Sequence, residues 1–213
     1  MKTEIILKEG YPYIGGSFSI FFFSLLMTDS FLWQFFWFLV FAFFVYFFRN
    51  PERIPEDDSK NAIIAPSDGT VVEIVESLSP ITGKNSVKIS IRLSLLDVHI
   101  QRSPIYGEMS AREYIHGTFL ALNSPKASEL NEQNRVLFKQ GNCEIVVNQI
   151  AGFITRRIVM FRDLGPVKLG ERYGMITFGS QVDIYLPKES IIKVTEFQKL
   201  KAGETLLGYL NEN

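Results

Sequence analysis

Only two side chains in the 213 residues ordinarily exchange protons near neutral pH, His99 and His116. His99 follows Asp97 by two positions in "LSLLDVHIQRSPIYGE", a spacing that puts both side chains on one face of a strand. Such a pair serves either as acid–base machinery or as a buried histidine whose hydrogen bonds are satisfied. His116, beside Gly117 in "EYIHGTFL", has the same two readings at a turn. Asp68 lies in "IIAPSDGTVVEI" between two apolar runs, as a site carboxylate or as the Asp-Gly of a hairpin turn. Arg156 and Arg157 in "AGFITRRIVMF" point to opposite faces of a strand; one of them could meet a phosphate, or both could face solvent.

The stretch "RYGMITFGSQVDIYLP" carries a different kind of chemistry. A serine hydroxyl can attack the carbonyl of its own preceding peptide where the backbone is strained, and a glycine there hinders the carbonyl least. Ser180 after Gly179 would form an ester; elimination would leave dehydroalanine, and hydrolysis a pyruvoyl group on a new chain end. The product is a ketone that no ordinary side chain supplies. A Gly-Ser pair is equally what an ordinary strand start offers. The sequence has no metal-ligand cluster, phosphate-cradling glycine loop or G-x-S-x-G elbow. Its one cysteine, Cys143, makes no intramolecular disulfide and reads as a small apolar residue at a strand start.

The elements that must position these groups fall into two sets. Most phenylalanines precede residue 49, and residues 12–27 and 31–48 are uncharged, parted by "DS" with Asp29. Each stretch is near the lower limit of about 17 residues for a membrane-spanning helix, which predicts a hydrophobic helical hairpin over residues 1–48. Lys2 and Lys8 before it and Arg49 and Arg53 after it place both ends, and the body, on the cytoplasmic side of the cell membrane. A re-entrant hairpin in one leaflet is the alternative; a cleaved signal peptide fits poorly, lacking a small-residue cleavage site. Residues 49–61, "RNPERIPEDDSKN" with its neighbours, read as a linker, and residues 62–213 as one main domain.

In that domain the runs "TVVEIVES", "SVKISIRLS", "CEIVVNQIA", "RRIVMF", "QVDIYLP" and "IIKVT" alternate with period two. The pattern predicts a mainly antiparallel β body, barrel or sandwich, with a helical turn or two around "SPKASELNEQN". Lys and Arg number 22 against 23 acidic residues and form no stripe, which argues against a nucleic-acid partner.

Taken together and in order, "FFRNPERIP", "IIAPSDGTV", "LSLLDVHIQRSPIYGE", "HGTFLAL" with "NEQNRV", "IAGFITRRIV" and "LGERYGMITFGSQVDIYLP" resemble the short form of phosphatidylserine decarboxylase proenzymes, from about Phe47 to Pro187. The resemblance implies self-cleavage between Gly179 and Ser180. A β chain of residues 1–179 would stay paired with an α chain of 180–213 that begins with a covalent pyruvoyl cofactor made from Ser180. It implies a Schiff base between that ketone and the amine of a membrane phosphatidylserine, loss of CO2, and release of phosphatidylethanolamine in phospholipid biosynthesis, with no metal. Asp68 matches the aspartate tied to self-processing and His99 the histidine of decarboxylation. Longer members carry a second histidine where Arg102 stands here, and arginine cannot act as a base at neutral pH. His99 is therefore expected to serve both steps, with His116 an outside candidate. The same chemistry on an archaeal serine lipid, a serine hydrolase built on Ser180, His99 and Asp68 or Asp97, and a non-catalytic tethered β module are the competing readings; higher oligomers are left open.

Overall fold

The computed structural model describes residues 4–122, 124, 126–153 and 157–211. The chain divides into two units, Met1–Glu52 and Arg53–Asn213.

The first unit contains α1 (Tyr11–Met27) and α2 (Phe31–Phe47), bounded within a residue of where the uncharged runs placed them. A short 3-10 turn, Lys8–Gly10, leads into α1, and the combined Lys8–Met27 segment is long and apolar enough to cross a membrane. The 17 residues of α2 fall just below that length. Both helices are apolar all round: Phe22, Phe23, Leu26, Phe31, Leu32 and Trp33 are each about half exposed or more. Water offers no reason for such a surface, whereas a lipid phase does. Inside α1 the hydroxyls need partners, and Ser17 donates to the Tyr13 carbonyl at 2.8 Å.

The second unit is β-rich, as the alternation predicts. Its elements are β1 (Ala62–Ile64), β2 (Gly69–Leu78), β3 (Asn85–Arg92), β4 (Ile100–Arg102), β5 (Gly107–Ile115), α3 (Ala127–Leu130), β6 (Gln133–Gln140), β7 (Cys143–Ala151), β8 (Ile158–Met160), β9 (Gly165–Val167), β10 (Arg172–Ile176), β11 (Ser180–Pro187), β12 (Ile191–Ile192), β13 (Lys199–Leu200) and β14 (Leu206–Tyr209). They form an eight-stranded sheet in the order β13-β2-β3-β11-β7-β6-β5-β9 and two three-stranded sheets, β1-β14-β12 and β4-β10-β8. Every pairing between these strands is antiparallel. The sheets are open, so of the two forms anticipated the closed barrel is not the one adopted. The helical turn expected around "SPKASELNEQN" is α3.

Strand β11 shows why the residues fold this way. Val182, Ile184 and Leu186 are fully buried in the core with Val71, Ile89, Ile91, Val147 and Tyr173, while Gln181 and Asp183 alternate onto the other face. Each such aliphatic burial contributes about 1.5–3 kcal/mol, so a one-residue slip of register is excluded. Within the second unit, residues 53–57 are tied to the body. Arg53 pairs with Asp68 and Glu204, the Glu56 N–H donates to the Glu204 carbonyl, and the Tyr209 hydroxyl donates to Asp57.

Candidate active site

The segment between β10 and β11 is where the chain passes from one sheet to another. β10 pairs with β4 and β8, whereas β11 pairs with β3 and β7, so Thr177, Phe178 and Gly179 must make the crossing. Two consecutive residues do so in the left-handed region, Phe178 at φ 57° and Gly179 at φ 77°. Glycine adopts that conformation freely, but a phenylalanine held there costs about 1–2 kcal/mol. The strained turn is pinned on both sides. The Thr177 N–H and hydroxyl both donate to the Arg157 carbonyl at 3.2 Å, the Ile176 N–H donates to the His99 carbonyl at 3.2 Å, and the Leu93 N–H donates to the Ser180 carbonyl at 3.0 Å.

Ser180 opens β11 opposite Ala151 of β7 and is wholly buried, and its Oγ has no hydrogen-bond partner among the described residues. A buried unpaired hydroxyl costs about 1–3 kcal/mol and needs an explanation. His99 supplies one. Its ring is buried, Nδ1 lies 2.9 Å from the Asp97 main-chain carbonyl, and Nε2 lies 3.3 Å from the Gly179 N–H. A nitrogen facing a carbonyl carries the ring proton, which leaves Nε2 as a lone pair aimed at the backbone one residue before Ser180. The sequence-predicted Gly179, Ser180 and His99 are thus brought together.

Asp68 is placed differently. The two apolar runs around it are β1 and β2, which belong to different sheets, so the hairpin-turn reading fails. Its carboxylate is buried and accepts from Arg53 at 3.1 Å, the Val98 N–H at 3.2 Å and the Ala202 N–H at 2.8 Å. Through the main chain it holds the residue next to His99. Asp97 presents its carbonyl to His99, and its carboxylate accepts the Ser94 N–H at 2.7 Å. A hydrolase triad needs a carboxylate on the imidazole, and neither aspartate provides one.

The remaining candidates lie farther out. Arg102 is buried, donates to the Gly170 carbonyl at 3.0 Å and packs its aliphatic stem against Gly203. His116 is exposed and meets the Tyr114 ring edge-on. Arg156 lies outside the described residues. Arg157 is exposed, just before β8, and shares a shallow cleft with Arg112 and Arg162. Arg112 donates to Asn134 at 2.5 Å and Arg162 pairs with Glu171. Cys143 is a free thiol at the start of β7. Among the described residues no group of His, Cys, Asp and Glu is arranged to hold a metal ion.

Several residues that position the site are polar ones in the core. Asn134 donates to Gln149 at 2.5 Å, and Gln149 donates to Gln101 at 2.9 Å, all three being fully buried. This chain links β6 and β7 to β4, two residues beyond His99, and so fixes the histidine's strand against the strand that pairs with Ser180. Apolar periodicity cannot find such residues, because they interrupt it.

A family model for phosphatidylserine decarboxylase matches residues 40–208. The chain is 39% identical to a phosphatidylserine decarboxylase proenzyme of Geotalea uraniireducens, over 98% of each chain. It is 41% identical to one of Geobacter metallireducens over 96% of each, and 45% identical to one of Carboxydothermus hydrogenoformans over 80% of this chain and 81% of that one.

Proposed function

The chain belongs to the phosphatidylserine decarboxylase family and is a decarboxylase, and on that premise we propose that it matures by cutting itself between Gly179 and Ser180 and then acts on phosphatidylserine in the membrane. The observation that carries this reading is the buried Ser180 hydroxyl, without a partner among the described residues, beside two successive left-handed residues, with His99 Nε2 on the same turn.

In the first step the Ser180 Oγ bonds to the Gly179 carbonyl carbon and the Gly179–Ser180 C–N bond breaks. The hydroxyl proton passes to the released nitrogen, with His99 as the carrier nearest to hand. Release of the pinned turn favours the ester. Loss of the Ser180 Cα proton and cleavage of its Cβ–O bond then expel the Gly179 carboxylate. Water hydrolyses the resulting enamine, after tautomerisation, to a pyruvoyl group with loss of ammonia, so no oxidant enters. Once formed, that group supplies a ketone able to take up the substrate amine and to accept the electrons left by CO2.

His99, held in one tautomer by the Asp97 carbonyl, is the candidate to take up at Nε2 a proton given up by the substrate ammonium and to return it to the substrate carbon. Asp68 keeps Val98, and with it His99, in register. Arg157, exposed and tied through its carbonyl to Thr177, is the candidate for the lipid phosphate, with Arg156 beside it in sequence. The apolar helices would keep the body at the cytoplasmic face of the membrane, where the headgroup is concentrated in two dimensions.

Intact-mass measurement tests the reading. The wild type is expected to give residues 1–179 and a 34-residue piece (213 − 179) without a free amino end, and Ser180→Ala a single full-length chain. A full-length wild type, or a Ser180→Ala chain cut at that bond, refutes it.

A further inference from the structure

Gly152 follows Ala151, the β7 residue paired with Ser180, and is buried. Its own φ lies outside the left-handed region, so its backbone conformation makes no demand for glycine. The space does. A Cβ on Gly152 would stand 2.5 Å from the Gly179 carbonyl oxygen and 3.3 Å from the Gly179 carbonyl carbon, the two atoms of the bond to be attacked, with Leu122 Cδ1 also at 3.3 Å. Since Cβ atoms essentially never come within 3.0 Å of another heavy atom, alanine at 152 must push peptide 179 away by about 0.5 Å or more.

The end of β7 cannot yield instead, because Asn131 holds it. That side chain is wholly buried and all its bonding capacity is directed. Its Nδ2 donates to the Ala151 and Leu120 carbonyls at 2.8 Å each, and its Oδ1 accepts the Leu120 N–H at 2.7 Å and the Thr118 hydroxyl at 3.2 Å. The Ala151 N–H is meanwhile bound to the Glu132 carbonyl at 3.0 Å. Asn131 and Glu132 open the "NEQNRV" segment to which the proposed chemistry assigned no task.

We propose that Gly152, locked in place by Asn131, is a positioning residue for self-cleavage: the volume of its missing side chain is the seat of the Gly179 carbonyl oxygen. The inference rests on the self-cleavage reading above. The seat sets the angle at which the Ser180 Oγ meets the carbonyl carbon, and it has no further task once residue 179 ends a chain.

The test is Gly152→Ala in the full-length protein made by cell-free translation, with cleavage followed by quenched time points on the protease-resistant, folded fraction. A displacement approaching 1 Å from a reacting centre slows reaction by about 10²-fold, and a slowing of about ten- to a hundredfold is expected. The molecules that do cut should then decarboxylate with wild-type kcat and KM, which a general loosening of the core would not allow. Adding Leu122→Ala should not restore the rate, because the obstructing atom is the carbonyl oxygen. Wild-type cleavage with Gly152→Ala cutting at the same rate overturns this inference alone, as does rescue by Leu122→Ala. A defect in kcat or KM per cut molecule also overturns it. A wild type that stays whole overturns both readings.

Discussion

Replacing Phe178 with glycine isolates the contribution of the left-handed turn. At φ 57° an L-residue is held about 1–2 kcal/mol above its relaxed conformation, whereas glycine is nearly indifferent. If that strain is present in the uncut chain and gone by the transition state in which peptide 179–180 is breaking, removing it lowers the starting state and leaves the transition state unchanged. An energy of 1–2 kcal/mol corresponds to a factor of about 5–30, so Phe178→Gly should cut roughly 5–30 times more slowly. Glycine also favours the unfolded chain, by about 0.5–1 kcal/mol, but this acts on folding and not on the cutting rate of molecules already folded. The assay is the quenched cell-free time course on the folded fraction, with Phe178→Ala as the control that removes the ring and keeps the strain. Phe178→Ala should stay close to wild type. Phe178→Gly cutting as fast as wild type, or both variants slowing equally, would show that backbone strain does not drive the reaction.

Three further outcomes are expected. His99→Ala should slow self-cleavage by about 10²–10⁴-fold, and any cut protein should release no CO2; full turnover in a radiometric CO2 assay removes His99 from the site. Asp68→Asn takes from buried Arg53 one of its two anions and leaves Glu204 at 3.3 Å, so the cost should fall below the about 3–5 kcal/mol of a fully unpaired buried charge and should appear as a fall in melting temperature with slower cutting; an unchanged melting temperature contradicts the positioning role. Burial pushes the Asp183 carboxyl above its ordinary value of about 3.8, against the pull of the Gln181 side-chain amide, which donates to it at 2.9 Å. A group raised in the folded state favours folding only while protonated, so its effect on stability worsens as pH climbs from the unfolded value through the folded one. Asp183→Asn in an uncut Ser180→Ala background should therefore gain over its parent at pH 7 and lose that gain toward pH 4, measured by urea unfolding; a loss at pH 7 would reverse the argument.

What the sequence made legible follows from what its patterns encode. "CEIVVNQIA" became β7 residue for residue, and "QVDIYLP" became β11 extended by Ser180, because alternating burial writes itself into the order of side chains. β5 was missed: a register shift between Met109 and Ala111 breaks its alternation. β10 was not separable from the site loop, since Gly174 interrupts a run of only five residues. Gly179, Ser180 and His99 could be named from chemistry and resemblance, yet the lone pair on His99 depends on a carbonyl two residues back, and the role of Asp68 on the N–H groups of Val98 and Ala202. Gly152, Asn131, Gln101 and Gln149 act only through partners distant in the chain, and local order carries no trace of that.

β11 lies in the interior of the eight-stranded sheet, gripped by β7 on one edge from its first residue and by β3 on the other from its second. The proposed break just ahead of it would free an end without freeing a fragment, and the two pieces would stay assembled with no covalent tie. The molecule would then be assembled the first time by a one-body process and could be reassembled only by a two-body one. Heating it past its transition and cooling it again would ask a 34-residue peptide to find its slot from solution, in competition with aggregation of the exposed sheet. The durability of such an enzyme is a matter of how slowly it comes apart, and its working life is spent on a single folding event.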